Sequence, residues 1–440
     1  MGREKIYQDD WRYTVLKPWA CWAVQHSYRK CQTHSEENIP TDGAILLAAN
    51  HCNTLMDALV ILRAHRKQTV FGARADIFNK PIIAKFMFFA RILPMVRQRD
   101  GLRNVLKNKD TQESIVETLE NNVRFCMYPE GTHRARHSLQ VLGKGIFRAA
   151  LAANEKFGAE KPIYIVPVGI EYGDYFRYRS TSLVNYGRPI NVTEFIKDSD
   201  QENEAQVMEA LRKELSSRMT ELFTYFKFDE NYDAKWALTK MIAIRGRKKG
   251  YGDFGTDLYE DMLRNRKIAA DIEKAMEEHP EEMNELLAEV KAFETKRKKA
   301  GISIYAFRKK SKPVMNAVGK GFAALLGLPY FIYSAITNLP LWATSFFVRS
   351  KVRDKAFRNT VSFGVKLAMT TILFPIYAAI AFCLAPWWLA LTLLALWLPG
   401  YAYFHDYLEG CRRWFSDIRL LRTPKLWKSF KSLTKRFKHI

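Results

Sequence analysis

Ala49-Asn50-His51-Cys52-Asn53-Thr54-Leu55-Met56-Asp57 is the stretch around which the rest of the chain orders itself. It follows the apolar run Ala44-Ile45-Leu46-Leu47-Ala48, which reads as a buried strand, and it leads into a helical pattern around 54–65. An imidazole and a carboxylate at such a handover are the minimum set for taking a proton from an alcohol. The carboxylate orients the ring and stabilises the imidazolium. About eighty residues later Tyr128-Pro129-Glu130-Gly131-Thr132 follows a second apolar run, Val123-Arg124-Phe125-Cys126-Met127. A glycine directly after a strand lets a phosphate approach backbone N–H groups closely.

The spacing of the first stretch constrains its geometry. Five residues separate His51 from Asp57, and on one continuous helix six positions rotate the side chains by about 240°, onto different faces. The two can meet if His51 lies on the turn leaving the strand and the helix starts near Asn53, a residue type suited to an N-cap. Asp57 then sits one turn inside and reaches back to the ring.

In this order and separation the two stretches resemble the glycerolipid acyltransferases, the family typified by 1-acylglycerol-3-phosphate acyltransferase. The resemblance runs over roughly residues 36–195. Asn50 and His51 match the family's Asn-His, with one residue more than usual before Asp57. That longer spacing is similar to a subgroup of glycerol-3-phosphate acyltransferases related to fungal enzymes. Leu93-Pro94-Met95-Val96-Arg97 is similar to the second motif, which implies a phosphate contact for Arg97, or for Arg99 in its place. Tyr128-Pro129-Glu130-Gly131-Thr132-His133 resembles the third, with His133 where an Arg is customary and Arg134 or Arg136 left to supply the charge. Ile165-Val166-Pro167-Val168 resembles the fourth. Gly143-Lys144-Gly145 and Tyr186-Gly187-Arg188-Pro189-Ile190 keep the same register. The resemblance implies His51 and Asp57 as catalytic residues. It implies Arg97, Arg99, Glu130, Gly131, Thr132, Arg134, Lys144 and Pro167 as the substrate-binding set. Cys52 beside the base reads as packing, since the family chemistry needs no covalent intermediate.

Strand candidates near 44, 69, 93, 124, 164 and 183 alternate with helical stretches around 54–65, 78–90, 105–120 and 144–157. The expected fold class is therefore α/β, a mixed sheet with covering helices. A charged helical region, 196–312, and C-terminal membrane helices follow it. In the charged region helical periodicity marks 203–226 and 281–299, and Gly250, Gly252 and Gly255 interrupt it. Its charge run reads as a solvated face. Residues 10–32 mix Trp11, Tyr13, Trp19, Trp22 and Tyr28 with basic residues, a composition suited to an interfacial helix over 1–35 or to one packed on the catalytic core.

Residues 321–348 and 367–404 carry no charge. As a single helix the second run would be about 57 Å long, nearly twice a hydrocarbon core, so it reads as a hairpin split near Ala385-Pro386. Asn338-Leu339-Pro340 breaks the first run, which reads as re-entrant or as a single span. Lys and Arg flank both runs, which places the ends, and the catalytic domain of 36–195, on the cytoplasmic face. Residues 411–440 hold ten Lys or Arg against one Asp, interleaved with Trp414, Phe415, Trp427 and Phe430, a pattern for a basic amphipathic tail on anionic lipid.

The chain has 440 residues, room for two or three cores. Its net charge of +23 asks for an acidic partner. Basic residues gather beside apolar segments rather than in a nucleic-acid module, so the partner expected is anionic membrane lipid and no nucleic acid. The cysteines, 21, 31, 52, 126, 383 and 411, show no metal spacing and read as reduced thiols. The first residues, Met1-Gly2-Arg3-Glu4-Lys5, lack the apolar core of a signal peptide. The expectation is a membrane-bound O-acyltransferase. It moves an acyl group from a thioester donor, acyl-CoA or acyl-carrier protein as co-substrate, to a glycerol-phosphate or lysophospholipid acceptor. No metal or redox cofactor is implied. The alternative is a catalytically silent lipid-binding or scaffold protein that keeps the fold.

Overall fold

Ala44–Ala49 forms a strand with all six side chains buried, so both of its faces are covered. Such two-sided burial belongs to the interior of a parallel sheet, where a continuous apolar run replaces alternation. The computed structural model describes residues 6–65, 67–95, 105–199, 203–245, 257–308 and 313–440. They fall into two units. One comprises Met1–Gln25, Cys31–Tyr175 and Ser182–Tyr225; the other comprises His26–Lys30, Phe176–Thr181 and Phe226–Ile440.

The chain runs through α1 (Trp11–Ser27), β1 (Lys30–His34), β2 (Ala44–Ala49), α2 (Leu55–Ala64), β3 (Thr69–Arg74), α3 (Pro81–Phe89), β4 (Ile92–Met95), α4 (Val105–Glu120) and β5 (Arg124–Met127). It continues through α5 (Gly145–Phe157), β6 (Ile163–Tyr172), β7 (Thr181–Tyr186), β8 (Ile190–Asn191), α6 (Val192–Lys197) and α7 (Glu204–Thr220). The strand order is β1-β7-β6-β2-β5-β3-β4, with β8 also pairing β6. β4, β3, β5, β2 and β6 pair in parallel, whereas β7 and β8 run antiparallel to β6. The sheet is mixed and the class is α/β. One core joins Leu46 and Ala48 of β2 to Ile115 and Leu119 of α4, Phe147 and Ala150 of α5, and Leu211 and Leu215 of α7.

The boundary expected at 195 therefore falls inside the first unit, because α7 lays its apolar face on the sheet. Gly169 of β6 makes this possible: a Cβ there would stand 2.5 Å from the carbonyl oxygen of Leu222. The chain after α7 could not pass so close to any other residue type.

In the second unit α8 (Tyr232–Arg245), α9 (Leu258–Glu278) and α10 (Pro280–Lys299) are more than a solvated region. Leu238, Met241, Ile272, Leu286 and Val290 are buried together. Lys235 is buried too, held by Asp229 at 2.6 Å and Glu273 at 2.9 Å. Gly250, Gly252 and Gly255 lie outside the described residues. The tail expected to lie on lipid contains α15 (Pro424–Arg436), and its apolar side is covered by protein. Phe430 stacks on Phe307 with centroids 4.8 Å apart, and Leu433 is buried beside them. The amphipathic pattern was real, but its apolar face belongs to this core.

Between these lie α11 (Pro313–Thr337), α12 (Leu339–Ser350), α13 (Lys355–Leu384) and α14 (Trp387–Leu421). Phe357–Leu384 and Trp387–Leu421 are each long and apolar enough to cross a membrane. The break between α13 and α14 falls at Ala385-Pro386, where the sequence places it. α11 and α12 meet at Asn338 with a 64° bend, the geometry of a broken span or a re-entrant loop. Tyrosines bind α11 to α14: Tyr403 and Tyr407 donate to the carbonyls of Gly327 and Ala324 at 3.0 and 2.9 Å. Ile372, Phe374, Ile376, Ile380 and Leu391 remain exposed, the outward apolar surface that a span presents to lipid.

Candidate active site

β2 ends at Ala49, and the next residue fixes the site to the sheet. Asn50 accepts the N–H of Ile170 at 2.6 Å through Oδ1 and donates through Nδ2 to the Ile170 carbonyl at 3.0 Å. An amide side chain that answers both groups of one residue behaves as an added rung of the β2–β6 ladder. His51 therefore leaves the sheet from a pinned position.

α2 starts at Leu55, two residues after Asn53, and Thr54 rather than Asn53 stands at its N-cap, with φ +51° and no side-chain bond. Asp57 holds the turn that precedes the helix. Its Oδ2 accepts the backbone N–H groups of Cys52 at 2.9 Å and Asn53 at 2.7 Å, and the same oxygen lies 2.8 Å from Nδ1 of His51. The chain between strand and helix thus wraps around one carboxylate, which absorbs the extra residue of spacing. Oδ1 accepts the Tyr172 hydroxyl at 2.8 Å and the Cys52 thiol at 3.6 Å. Asp57 is wholly buried, and the His51 side chain keeps 17% of its surface exposed. With Nδ1–H given to the carboxylate, the lone pair of the ring lies on Nε2.

The second stretch closes over the first. Glu130 Oε1 accepts the N–H of His51 at 2.8 Å, and its Oε2 accepts that of Gln140 at 3.0 Å. Gln140 in turn donates to the Thr132 carbonyl at 2.9 Å. The Arg134 N–H reaches the His51 carbonyl at 2.9 Å, so both backbone groups of His51 are held from this loop. Gly131 has φ +68°, where a side chain would be strained, and its N–H turns back to the Tyr128 carbonyl at 3.0 Å. The Tyr128 ring stacks on His51 at 4.3 Å, and His133 meets the same ring edge-on at 5.7 Å. His133 thus takes the place of a customary arginine beside the imidazole itself.

Burial pushes the Glu130 carboxyl up from its ordinary range, against the pull of the two N–H donors. Burial, with the Asp57 and Glu130 carboxylates beside it, drives the Cys52 thiol well up, so it stays protonated and a poor nucleophile.

His51, Asp57, Glu130, Gly131, Thr132 and Arg134 come together. Arg134 also donates through its guanidinium to Ser138 Oγ at 3.1 Å. Lys144 is exposed at the start of α5, next to Gly143, whose N–H bonds the Pro129 carbonyl at 2.7 Å. Pro167 is buried within β6 in register with Ala48, and its carbonyl accepts the Gly187 N–H at 2.9 Å. It packs within the sheet beside the strand that leads into His51. Arg97 and Arg99 lie outside the described residues. Tyr172 and Gln140 were missed by sequence reasoning: each acts through one bond to a motif carboxylate, and neither lies in a motif. Among the described residues no group of His, Cys, Asp or Glu is arranged to hold a metal ion.

Comparison with known proteins bears on this arrangement. The curated glycerol-3-phosphate O-acyltransferase 2 of Saccharomyces cerevisiae is 28% identical over 116 residues, 26% of this chain. The chain spans only 16% of that relative's length. A solved structure, the 1-acyl-sn-glycerophosphate (LPA) acyltransferase PlsC of Thermotoga maritima, is 17% identical with a TM-score of 0.32, covering 47% of this chain and 79% of that one. The family model described as Acyltransferase matches residues 30–171, which hold both stretches, strands β1 to β5 and nearly all of β6. Over residues 30–171, about a third of its length, the chain is thus similar to the acyltransferases.

Proposed function

We propose that this protein is a membrane-bound O-acyltransferase of phospholipid biosynthesis, acylating a hydroxyl of glycerol-3-phosphate or 1-acylglycerol-3-phosphate. The observation that carries the reading is the 2.8 Å contact of His51 Nδ1 with a carboxylate that is itself fixed by two backbone N–H groups and a tyrosine. His51 Nε2 takes the proton as the acceptor oxygen attacks the thioester carbonyl carbon. The tetrahedral intermediate collapses with loss of the C–S bond, and the imidazolium returns the proton to the departing thiolate. Asp57 holds the ring and stabilises its charged form. Glu130 positions His51 by gripping its N–H. Arg97, with Arg99, Arg134, Lys144 and the N–H groups around Gly131 and Thr132, receives the acceptor's phosphate. The donor is acyl-CoA or acyl-carrier protein, and α13 and α14 anchor the chain in the membrane. The basic flanks of those helices favour a catalytic domain on the cytoplasmic face.

Purified protein in detergent, given labelled acyl-CoA or acyl-carrier protein with either acceptor, tests the reading. Acylation of at least one acceptor is expected, with His51→Ala slower by about 10²- to 10⁴-fold, the contribution of a positioned base. Failure with every donor and both acceptors would favour a silent lipid-binding protein that keeps the fold.

A further inference from the structure

Within the second unit, four arginines converge on two carboxylates of α14. Asp406 takes Arg29 at 2.6 Å and Arg179 at 3.1 Å; Glu409 takes Arg177 and Arg413, each at 2.8 Å. Lys366 of α13 adds an amine, 3.1 Å from Ser27 Oγ and 3.4 Å above the Tyr178 ring. The arginine side chains keep 18% (Arg29), 21% (Arg177), 20% (Arg179) and 6% (Arg413) of their surface exposed, so the cluster is mostly covered yet reachable. Each carboxylate is divided between two guanidiniums. Burial first, and then the neighbouring Arg179, Arg413 and Arg177, bring Arg29 down to about 10 against the pull of Asp406.

Its depth in the fold is what gives the cluster a ligand. Lys366 directly precedes the uncharged run 367–404, and Asp406, Glu409 and Arg413 follow directly after it. Since α13 and α14 fold back on each other at Ala385-Pro386, both ends of that run lie at one level, where apolar helix gives way to charge. Tyr178 and Tyr401 stand at the same level, with Lys366 lying over both rings, as aromatic residues do at a membrane–water boundary. A phosphate carries the charge and the acceptor oxygens that match guanidinium forks, and at this level the phosphates are those of lipid headgroups.

We infer that Arg29, Arg177, Arg179, Lys366 and Arg413 form a binding site for the phosphate of an anionic phospholipid at the open end of the α13–α14 hairpin. It is built outside residues 30–171, the stretch that resembles the acyltransferases, and rests on the reading of that hairpin as membrane-spanning. The bound lipid adds the negative charge that Asp406 and Glu409 divide among the cations. It also ties Arg177 and Arg179, in the chain between β6 and β7, to the headgroup layer.

The test is native mass spectrometry of the full chain released from micelles containing phosphatidylglycerol or phosphatidylcholine. One phosphatidylglycerol is expected to stay bound, phosphatidylcholine is not, and a large excess of inorganic phosphate leaves the lipid in place. A basic residue near anionic lipid is worth a factor of roughly five, so Arg177→Gln with Arg179→Gln lowers retention about 25-fold. Glu409→Gln, which removes a competing carboxylate, raises it about fivefold; the opposite sign separates charge recognition from loss of fold. Equal retention of both lipids, displacement by inorganic phosphate, or a fall in both variants overturns the inference. His51→Ala retains lipid like the parent protein, so a failure of the proposed catalysis is read separately.

Discussion

Asp57 is the residue on which the chemistry turns, because His51, Cys52, Asn53 and Tyr172 all donate to it. Tyr172 is the one donor brought from β6, and its role is to fix the carboxylate that fixes the ring. Tyr172→Phe removes one hydrogen bond to a charged acceptor, worth about 1.5 kcal/mol. The expected outcome is a kcat lower by about tenfold with KM within about twofold, since the phenol acts on the base and not on substrate. An unchanged kcat would show that the backbone donors suffice. His65 supplies a pH dependence at the same scale. Burial, then Arg124 and Lys17, lower it from 6.5 to about 3. Arg124 donates to its Nδ1 at 3.2 Å, which outweighs the exposed Glu36 carboxylate 3.4 Å from the same nitrogen. The folded protein keeps the ring neutral while the unfolded chain takes up a proton below 6.5. Stability from this group is complete above that pH and lost as pH falls towards 3, by about 2 kcal/mol at pH 5. Melting curves at pH 7 and 5 should therefore diverge less for His65→Gln than for the parent; parallel divergence would place the acid sensitivity elsewhere.

One carboxylate also holds the turn that leads into an element. α2 has no side-chain cap at Thr54, and the N–H groups of Cys52 and Asn53 depend on Asp57. Asp57→Ala thus strands two buried donors, at about 1–3 kcal/mol each, whereas His51→Ala strands none of them. Both variants lose turnover, and only Asp57→Ala should melt markedly earlier; equal melting temperatures would mean that the turn before α2 holds without the carboxylate. This junction was half legible. The strands at 44, 69, 93, 124, 164 and 183 announced themselves as apolar runs, and β2, β5 and β7 among them are covered on both faces. β1 was not legible, since Lys30-Cys31-Gln32-Thr33-His34 carries no such run, and β8 is two residues long. The meeting of His51 with Asp57 followed from chemistry and spacing. The contribution of Tyr172, 115 positions away, follows only from the β2–β6 register that the folded sheet supplies. α8 and α9 hid their apolar faces among charges, and α15 showed an apolar face without showing what covers it.

For the whole molecule, the His51–Asp57 pair lies in the first unit, and the two helices long and apolar enough to cross a membrane lie in the second. The uncharged run 367–404 with a break at Ala385-Pro386 has a consequence for topology, because Cys383 sits near the tip of the hairpin and is exposed, while Cys411 follows the run on α14 and is half-buried. Lys355, Arg358 and Lys366 precede the run and Arg412, Arg413 and Arg419 follow it, so both ends favour the cytoplasmic side. Cys52 and Cys126 are buried and will not react in the folded protein. In sealed vesicles with the cytoplasmic face outward, a membrane-impermeant maleimide should label a variant whose one cysteine is Cys411. A variant retaining Cys383 alone should label only after the membrane is permeabilised. Labelling of Cys383 in intact vesicles would mean that the hairpin re-enters rather than spans, and the phosphate cluster at its open end would then lose the boundary level from which its ligand was inferred.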